Sequence, residues 1–241
     1  MIVLLTDFGR SEYVGVMKGV IYGIAPDAKI VDLCHSISAQ SVIEASWILK
    51  SNYRYFPKGA AFCCVVDPGV GTERRALAVK THDYYFVAPD NGLLWETVRE
   101  QEIIAIGRVP VPADASSTFH GRDVFAPAAA RIELGLFDEL GPDEEGMEKL
   151  ELRQDGREGM VVRVDRFGNI VTNLPRQDKD RYSVVIGGKE LAMSYYPTYC
   201  AAQEDELFLI EGSSGTLEIS LRNASAGDRL NVAAGTRIII S

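Results

Sequence analysis

Over residues 1–150 the chain alternates short apolar runs with segments of helical period, and this alternation restricts its fold more than any other feature. Ile2-Val-Leu-Leu-Thr6 is an uninterrupted apolar run, as expected of a strand buried on both faces. Tyr13 to Ile24 carries apolar residues at positions 13, 16, 17, 20, 21 and 24, a helical spacing that stops before Pro26. Lys29–Leu33 reads as a second strand, Val42–Tyr53 as a second amphipathic helix, and Ala61–Val66 as a third buried strand ending at Asp67-Pro-Gly. Strands at Ala76–Lys80 and Tyr84–Val87 follow, and Val124–Leu134 returns to helical spacing. Strand, helix, strand, helix, strand implies parallel pairing through right-handed crossovers. The expectation is an α/β protein with a mainly parallel sheet.

The pattern changes near Pro142-Asp-Glu-Glu-Gly146, which reads as a solvated acidic connector. Beyond Gly159 no helix pattern survives. Short strand-like runs appear at Met160–Val164, Asn169–Asn173, Ser183–Ile186, Glu206–Ile210, Thr216–Leu221 and Arg237–Ile240. Turn dipeptides such as Gly187-Gly188 and Gly227-Asp228 separate them. We therefore expect an N-terminal α/β domain over residues 1–150 and a smaller, all-β, barrel-like domain over residues 151–241.

Charge limits the partners. Lys and Arg number 25 against 34 Asp and Glu, a net charge of −9, so a phosphate backbone is an unfavoured partner and no nucleic-acid role is expected. No apolar stretch approaches the about 18 residues of a membrane span. The segment Met1–Asp7 lacks the basic region and cleavage site of a secretion signal, so a cytoplasmic protein is expected. Cys34, Cys63, Cys64 and Cys200 have neither metal-ligand nor disulfide spacing, and all four read as small buried apolar residues. Cys63 and Cys64, adjacent on one strand, point to opposite faces.

In an open parallel sheet, ligands bind beyond the carboxyl ends of the strands. Three loops qualify: Thr6-Asp7-Phe8-Gly9, Asp67-Pro-Gly-Val-Gly-Thr-Glu-Arg74-Arg75, and Ser117-Thr-Phe-His120-Gly-Arg-Asp123. Each joins glycine, which lets a ligand approach the backbone, to ionisable side chains. Structural readings compete. Asp7 could cap the following helix, Asp67 could form a turn with Pro68-Gly69, and His120 could be a core histidine. The Gly69-Val-Gly71 loop lacks the Lys-Ser/Thr of a phosphate-binding loop, and Ser117 lacks the context of a serine nucleophile. His35 and His82 have no clustered partner and receive no role.

Together the loops resemble the S-adenosylmethionine hydrolases, or SAM hydroxide adenosyltransferases, relatives of the fluorinases and chlorinases. The resemblance lies in Thr-Asp-Phe-Gly with Tyr13-Val-Gly-Val-Met-Lys-Gly19, Asp67-Pro-Gly-Val-Gly-Thr72, Ala88-Pro-Asp-Asn-Gly92 and Thr118-Phe-His-Gly-Arg-Asp123. Asp165-Arg-Phe-Gly-Asn169 with Thr172-Asn173, and Gly212-Ser-Ser-Gly-Thr-Leu-Glu-Ile219, extend it almost to the end of the chain. The resemblance implies a homotrimer with active sites between neighbouring subunits, in which water cleaves S-adenosylmethionine to adenosine and methionine without a metal or other cofactor. It gives Asp67, Arg74 and His120 to water activation and Asp7 to the ribose. Asp165 falls where the methionine ammonium is held, Asn169 where adenine is met, and Phe119 and Gly121 around the reacting carbon. Ser213 falls at the methionine end, Asn223 and Ala224 beside adenine. One departure is a loop a residue shorter than the family's, where Arg10-Ser11-Glu12 runs directly into Tyr13.

The chemistry is coherent. The leaving group is a neutral thioether and needs no general acid. Free water, with a pKa of about 15.7, is the difficult partner. A carboxylate and an imidazole can take its proton, and a guanidinium can hold a developing hydroxide; Asp67 and His120 are both candidates for the acceptor. A halogenase is the nearer alternative, but an anionic Asp67 would repel halide, and Asp90–Ser117 is too short for the extra loop of fluorinases. A non-catalytic binder of adenosyl ligands is the alternative from another class, and it would have no use for a water-activating set.

Overall fold

The computed structural model describes residues 1–141 and 143–241. The chain divides into two compact units, Met1–Glu151 and Leu152–Ser241. In the first, β1 (Ile2–Thr6), α1 (Tyr13–Ile24), β2 (Ile30–Cys34), α2 (Val42–Asn52) and β3 (Ala61–Val65) follow in order. β4 (Ala76–Thr81), β5 (Tyr85–Pro89), the short α3 (Trp95–Val98), β6 (Ile103–Arg108) and α4 (Ala126–Glu133) complete it. The sheet order is β2-β1-β3-β5-β4-β6.

Strands β1, β2, β3 and β5 are parallel, whereas β4 runs antiparallel to both β5 and β6. The parallel pairing expected of the strand-helix-strand-helix-strand run holds for β1, β2 and β3, and the reversal at β4 makes the sheet mixed at this edge. His82-Asp83 turns the chain within two residues, with Thr81 N donating to Tyr84 O at 2.9 Å, and a turn that tight permits only a hairpin. β6 is an added edge strand whose first residues, Ile103 and Ile104, are exposed.

The alternation within β1 and β3 explains their continuous apolarity. Ile2, Leu4, Ala61, Cys63 and Val65 pack with α1 and α4 on one face, and Val3, Leu5, Phe62, Cys64 and Val66 pack with α2 on the other. α1 and α2 thus lie on opposite faces, as two right-handed crossovers require when β2 and β3 flank β1 on either side. The strand order therefore reverses direction between β1 and β3, where Thr6 lies beside Val65 at the carboxyl ends. Such a switch point is where open α/β sheets bind ligands.

Asp143, Glu145 and Gly146 are exposed, as a solvated stretch requires, but Glu144 is held against the first unit; Pro142 of that stretch lies outside the described residues. Glu144 N donates to Ile106 O at 2.8 Å, and its carboxylate accepts from Arg75 Nη1 at 2.9 Å. Glu144 is thus tied down by a half-buried arginine that a count of charges along the sequence does not anticipate.

The second unit is a seven-stranded antiparallel sheet. Its strands are β7 (Glu158–Val164), β8 (Ile170–Pro175), β9 (Arg181–Ile186), β10 (Lys189–Ser194), β11 (Leu207–Glu211), β12 (Thr216–Leu221) and β13 (Arg237–Ile240). The order β10-β9-β13-β7-β8-β12-β11 nearly closes on itself, since Tyr195 after β10 bridges Leu209 of β11. Val161, Ile170, Tyr182, Leu217, Ile219 and Ile238 fill the interior. Gly227-Asp228, expected as a turn, lies inside the short α5 (Ala226–Leu230). Ser225 Oγ accepts from Asp228 N at 3.0 Å and caps it. Glycine is needed there because a Cβ at position 227 would come within 2.5 Å of Val164 Cγ1.

The cysteines also depart from expectation. Cys63 and Cys64 are buried on opposite faces, but Cys34 is half-buried and Cys200 exposed. Burial pushes the Cys63 thiol up to about 12 and raises Cys64 as well. Iodoacetamide is expected to alkylate native protein first at Cys200, more slowly at Cys34, and at Cys63 and Cys64 only after unfolding. Peptide mass spectrometry over a time course reads that order, and early labelling of Cys63 would contradict the packing. Among the described residues, no helix is long and apolar enough to cross a membrane.

Candidate active site

Two aspartates leave the sheet at the switch point, Asp7 directly after β1 and Asp67 two residues after β3. Asp7 caps no helix: α1 begins at Tyr13 without a side-chain cap, and Asp7 Oδ2 instead accepts from Gln40 N at 2.8 Å. Asp67 opens the loop that ends at Arg75. Arg74 Nε donates to Asp67 Oδ1 at 2.9 Å and to Oδ2 at 3.1 Å, and Arg74 Nη2 donates to Oδ2 as well. The same Nη2 reaches His120 Nδ1 at 2.7 Å. The side chains of Asp67 and Arg74 are only 6% and 9% exposed, so this is a desolvated pair with strong charge-assisted bonds. Phe125 backs it, with Arg74 Cζ 5.2 Å from the ring centroid.

The loop reaches His120 through one close approach. Gly71 has φ +77°, and a Cβ there would lie 2.4 Å from the carbonyl oxygen of Ser117. Only glycine lets the two loops touch in this way. On the other side, Asp123 Oδ2 accepts from Ser116 N at 2.8 Å and fixes the segment that presents His120. The helical rise that follows starts earlier than the expected Val124, with a π turn over Gly121–Phe125. Such wide turns are frequent at functional sites.

Hydrogen-bond chemistry sets the imidazole tautomer. A guanidinium can only donate, so His120 Nδ1 accepts and a neutral ring carries its proton on Nε2. Burial and then the Arg74 charge hold the imidazole below its ordinary 6.5, against the weaker opposing pull of Asp67 and Asp123. His120 therefore stays neutral at physiological pH. A group whose folded pKa is depressed stabilises the fold above its unfolded value, and that contribution is lost as pH falls. Protonation would also set two donors, Nδ1–H and Arg74 Nη2, against each other. Activity that needs this chain is expected to be flat above pH 6.5 and to fall with one proton below it. A kcat/KM profile with its acid limb above 6.5 would be inconsistent with this assignment.

Asp7, Asp67, Phe119, His120 and Gly121 line one cavity of about 310 Å³, together with Phe8 and Tyr13. Arg74 is not in that lining; it supports Asp67 and His120 from behind and borders a second cavity of about 570 Å³. A Cβ on Gly121 would press within 3.1–3.3 Å of Phe119, Met17 and Phe8, so this glycine lets the aromatic side chains close over it.

In the second unit, Asp165 Oδ1 accepts from Phe167 N at 2.8 Å and from Asn169 N at 2.9 Å, and Asn169 Nδ2 donates to Asp165 Oδ2 at 3.0 Å. The aspartate so far serves its own turn. Gly168, at φ +85°, sits where a Cβ would meet Ser225 Cα at 2.4 Å, locking that turn against the start of α5. Asn169, Asn223 and Ala224 line a cavity of about 730 Å³ with Phe167, Tyr199 and Cys200. Asn223 holds φ +59°, a left-handed turn conformation that asparagine tolerates. Ser213 is exposed in the 212–215 turn and lines none of these cavities. Glu218, on β12, is buried near Asp165; desolvation and then the Asp165 charge raise its pKa.

Sequence reasoning gave no site role to Phe8, Tyr13, Phe167, Tyr199 or Cys200. Phe8, Tyr13 and Phe167 lay within the quoted motifs without a role of their own; nothing marked Tyr199 or Cys200. Among the described residues, no group of three or more His, Cys, Asp or Glu could hold a metal ion.

An α/β unit with a hydrogen-bonded carboxylate, guanidinium and imidazole chain under a cavity at its switch point, followed along the chain by a separate barrel-like unit, defines a two-part protein class. Residues 2–141 match the SAM hydroxide adenosyltransferase N-terminal domain and residues 159–239 the C-terminal domain, and the chain belongs to that family. It is 38% identical to the (R)-S-adenosyl-L-methionine hydrolase of Thermus thermophilus, across 96% of this chain and 95% of that protein. Identity with the protein of the same name from Methanocaldococcus jannaschii is 34%, across 96% and 92%. An uncharacterized conserved protein from Thermotoga maritima has a similar solved structure, with a TM-score of 0.89, 38% identity, and coverage of 100% of this chain and 99% of that one.

Proposed function

We propose that the protein hydrolyses S-adenosylmethionine to adenosine and methionine, by attack of water on the ribose C5′. The observation that carries this reading is the hydrogen-bonded chain Asp67–Arg74–His120, two of whose members line one small cavity. The names of the relatives support the substrate. Water oxygen bonds to C5′ as the C5′–sulfur bond breaks, the sulfur keeps the electron pair as a neutral thioether, and one proton is released. The neutral leaving group calls on no Lewis acid, and the reading uses no metal or other cofactor.

The tautomer argument assigns the proton. His120 Nδ1 is occupied by Arg74, so the imidazole can offer only Nε2–H, a donor toward the water oxygen. Asp67 remains as the acceptor: its oxygens take bonds from Arg74 yet keep lone pairs toward the cavity. Arg74 keeps that carboxylate aimed through its charge-assisted bonds. Positioning completes the effect, since in-line attack needs oxygen within about 3–3.5 Å of carbon.

In this reading Asp7 accepts from the ribose hydroxyls, and Phe119 and Gly121 surround the reacting carbon. Asp165 takes the methionine ammonium with a lone pair its own turn leaves free, Ser213 meets the methionine end, and Asn169, Asn223 and Ala224 meet adenine. A homotrimer with active sites between neighbouring subunits, and a cytoplasmic location without nucleic-acid or membrane partners, belong to the same reading. The test is incubation of metal-stripped protein with S-adenosylmethionine in ¹⁸O-water, with and without chloride, followed by mass spectrometry. Methionine plus adenosine labelled at C5′ is the expected result. Intact substrate despite measurable binding would leave a non-catalytic binder, and a chlorinated nucleoside would leave a halogenase.

A further inference from the structure

The cavity that holds Asp67 has a second chemical character. Phe8, Tyr13 and Phe119 line it and touch one another, with ring centroids 5.4 Å (Phe8–Tyr13), 5.9 Å (Phe8–Phe119) and 4.8 Å (Tyr13–Phe119) apart. Their planes are inclined at 61–76°, so the rings stand as walls of an open box rather than as a flat stack. The same lining holds two carboxylates, Asp7 and Asp67, and among the described residues no lysine or arginine. Its histidine is held neutral. Aromatic rings around a desolvated carboxylate are the setting in which organic cations without hydrogen-bond donors are recognised, through the negative faces of the rings. Arg122 already lies 5.4 Å from the Phe119 centroid and satisfies that ring in part. Tyr13, at the first turn of α1 and 43% exposed, has no such cation among the described residues.

We infer that Tyr13, with Phe8, is a specificity-determining residue that reads the positive charge of the sulfonium and separates this substrate from its neutral thioether counterpart. The inference rests on the hydrolase reading. It adds a residue that acts on charge rather than on shape. It also gives product a reason to leave: once the C5′–sulfur bond breaks, the sulfur is neutral and the rings lose their cation.

The experiment compares dissociation constants of S-adenosylmethionine and S-adenosylhomocysteine, by calorimetry, for wild type, Tyr13→Leu and Tyr13→Phe. Wild type is expected to prefer the sulfonium. Tyr13→Leu is expected to reduce that preference by about fivefold, the scale of one partly desolvated cation–π contact. Tyr13→Phe, which keeps the ring, is expected to retain the preference. Equal weakening of both ligands in Tyr13→Leu, or an unchanged ratio, would overturn the inference while leaving hydrolysis intact. Failure of wild type to bind either ligand would remove the hydrolase reading and this inference with it.

Discussion

Asp67→Asn is expected to lower kcat for S-adenosylmethionine hydrolysis by about 10²–10⁴-fold, the usual contribution of a positioned proton acceptor. Substrate affinity is expected to stay in the wild-type range. The asparagine has nearly the same shape and its carbonyl can still accept from Arg74 Nε, so the loop keeps its support. What it loses is basicity toward water. Single-turnover kinetics together with equilibrium binding separate the two quantities. A variant that retains its rate would move the acceptor role away from Asp67, and one that loses binding in proportion to rate would make Asp67 a substrate contact.

Arg74→Met is expected to destabilise the fold by about 3–5 kcal/mol at neutral pH, because it leaves a buried carboxylate without its partner. Asp67 is 6% exposed and accepts from Arg74 Nε and Nη2 through its two oxygens, so no solvent replaces the guanidinium cheaply. Urea titrations of wild type and variant at neutral pH measure this. The double variant Asp67→Asn/Arg74→Met is expected to recover part of the loss, and simple additivity of the two single changes would show that the pair is not coupled.

How far these residues could be read from the sequence depends on what kind of contact each makes. The strands β1 and β3 were legible because burial on both faces leaves an uninterrupted apolar run, and Cys63 and Cys64 fell on opposite faces because strand period is fixed. The direction of β4 was less legible, since pairing follows the length of the turn at His82-Asp83 rather than the residues of the strand. Arg74 and Asp67 lie seven residues apart, but Arg74 and His120 lie 46 apart. Spacing carries no information about the second contact; only the ordered set of motifs suggested it. Tyr13 illustrates the converse problem. At a helical apolar position it reads as core, although the side chain faces a cavity. Cys200 stood in no motif and was grouped with buried cysteines by residue type alone. The short helix at α5 had a capping signal in Ser225 and Asp228, hidden by the more obvious Gly-Asp turn pair.

The contact between Gly71 and Ser117 has a consequence for how such an enzyme can change over time. Asp67, Arg74 and His120 come from two loops that meet where Gly71 lies against Ser117, so neither loop can be exchanged without the other. A graft that moved residues 67–75 alone into a related scaffold would carry the charged pair but lose its register with the imidazole. The two segments form one heritable module, and altered reactivity in this architecture is expected to arise by replacing both segments as a set rather than through single substitutions at either one.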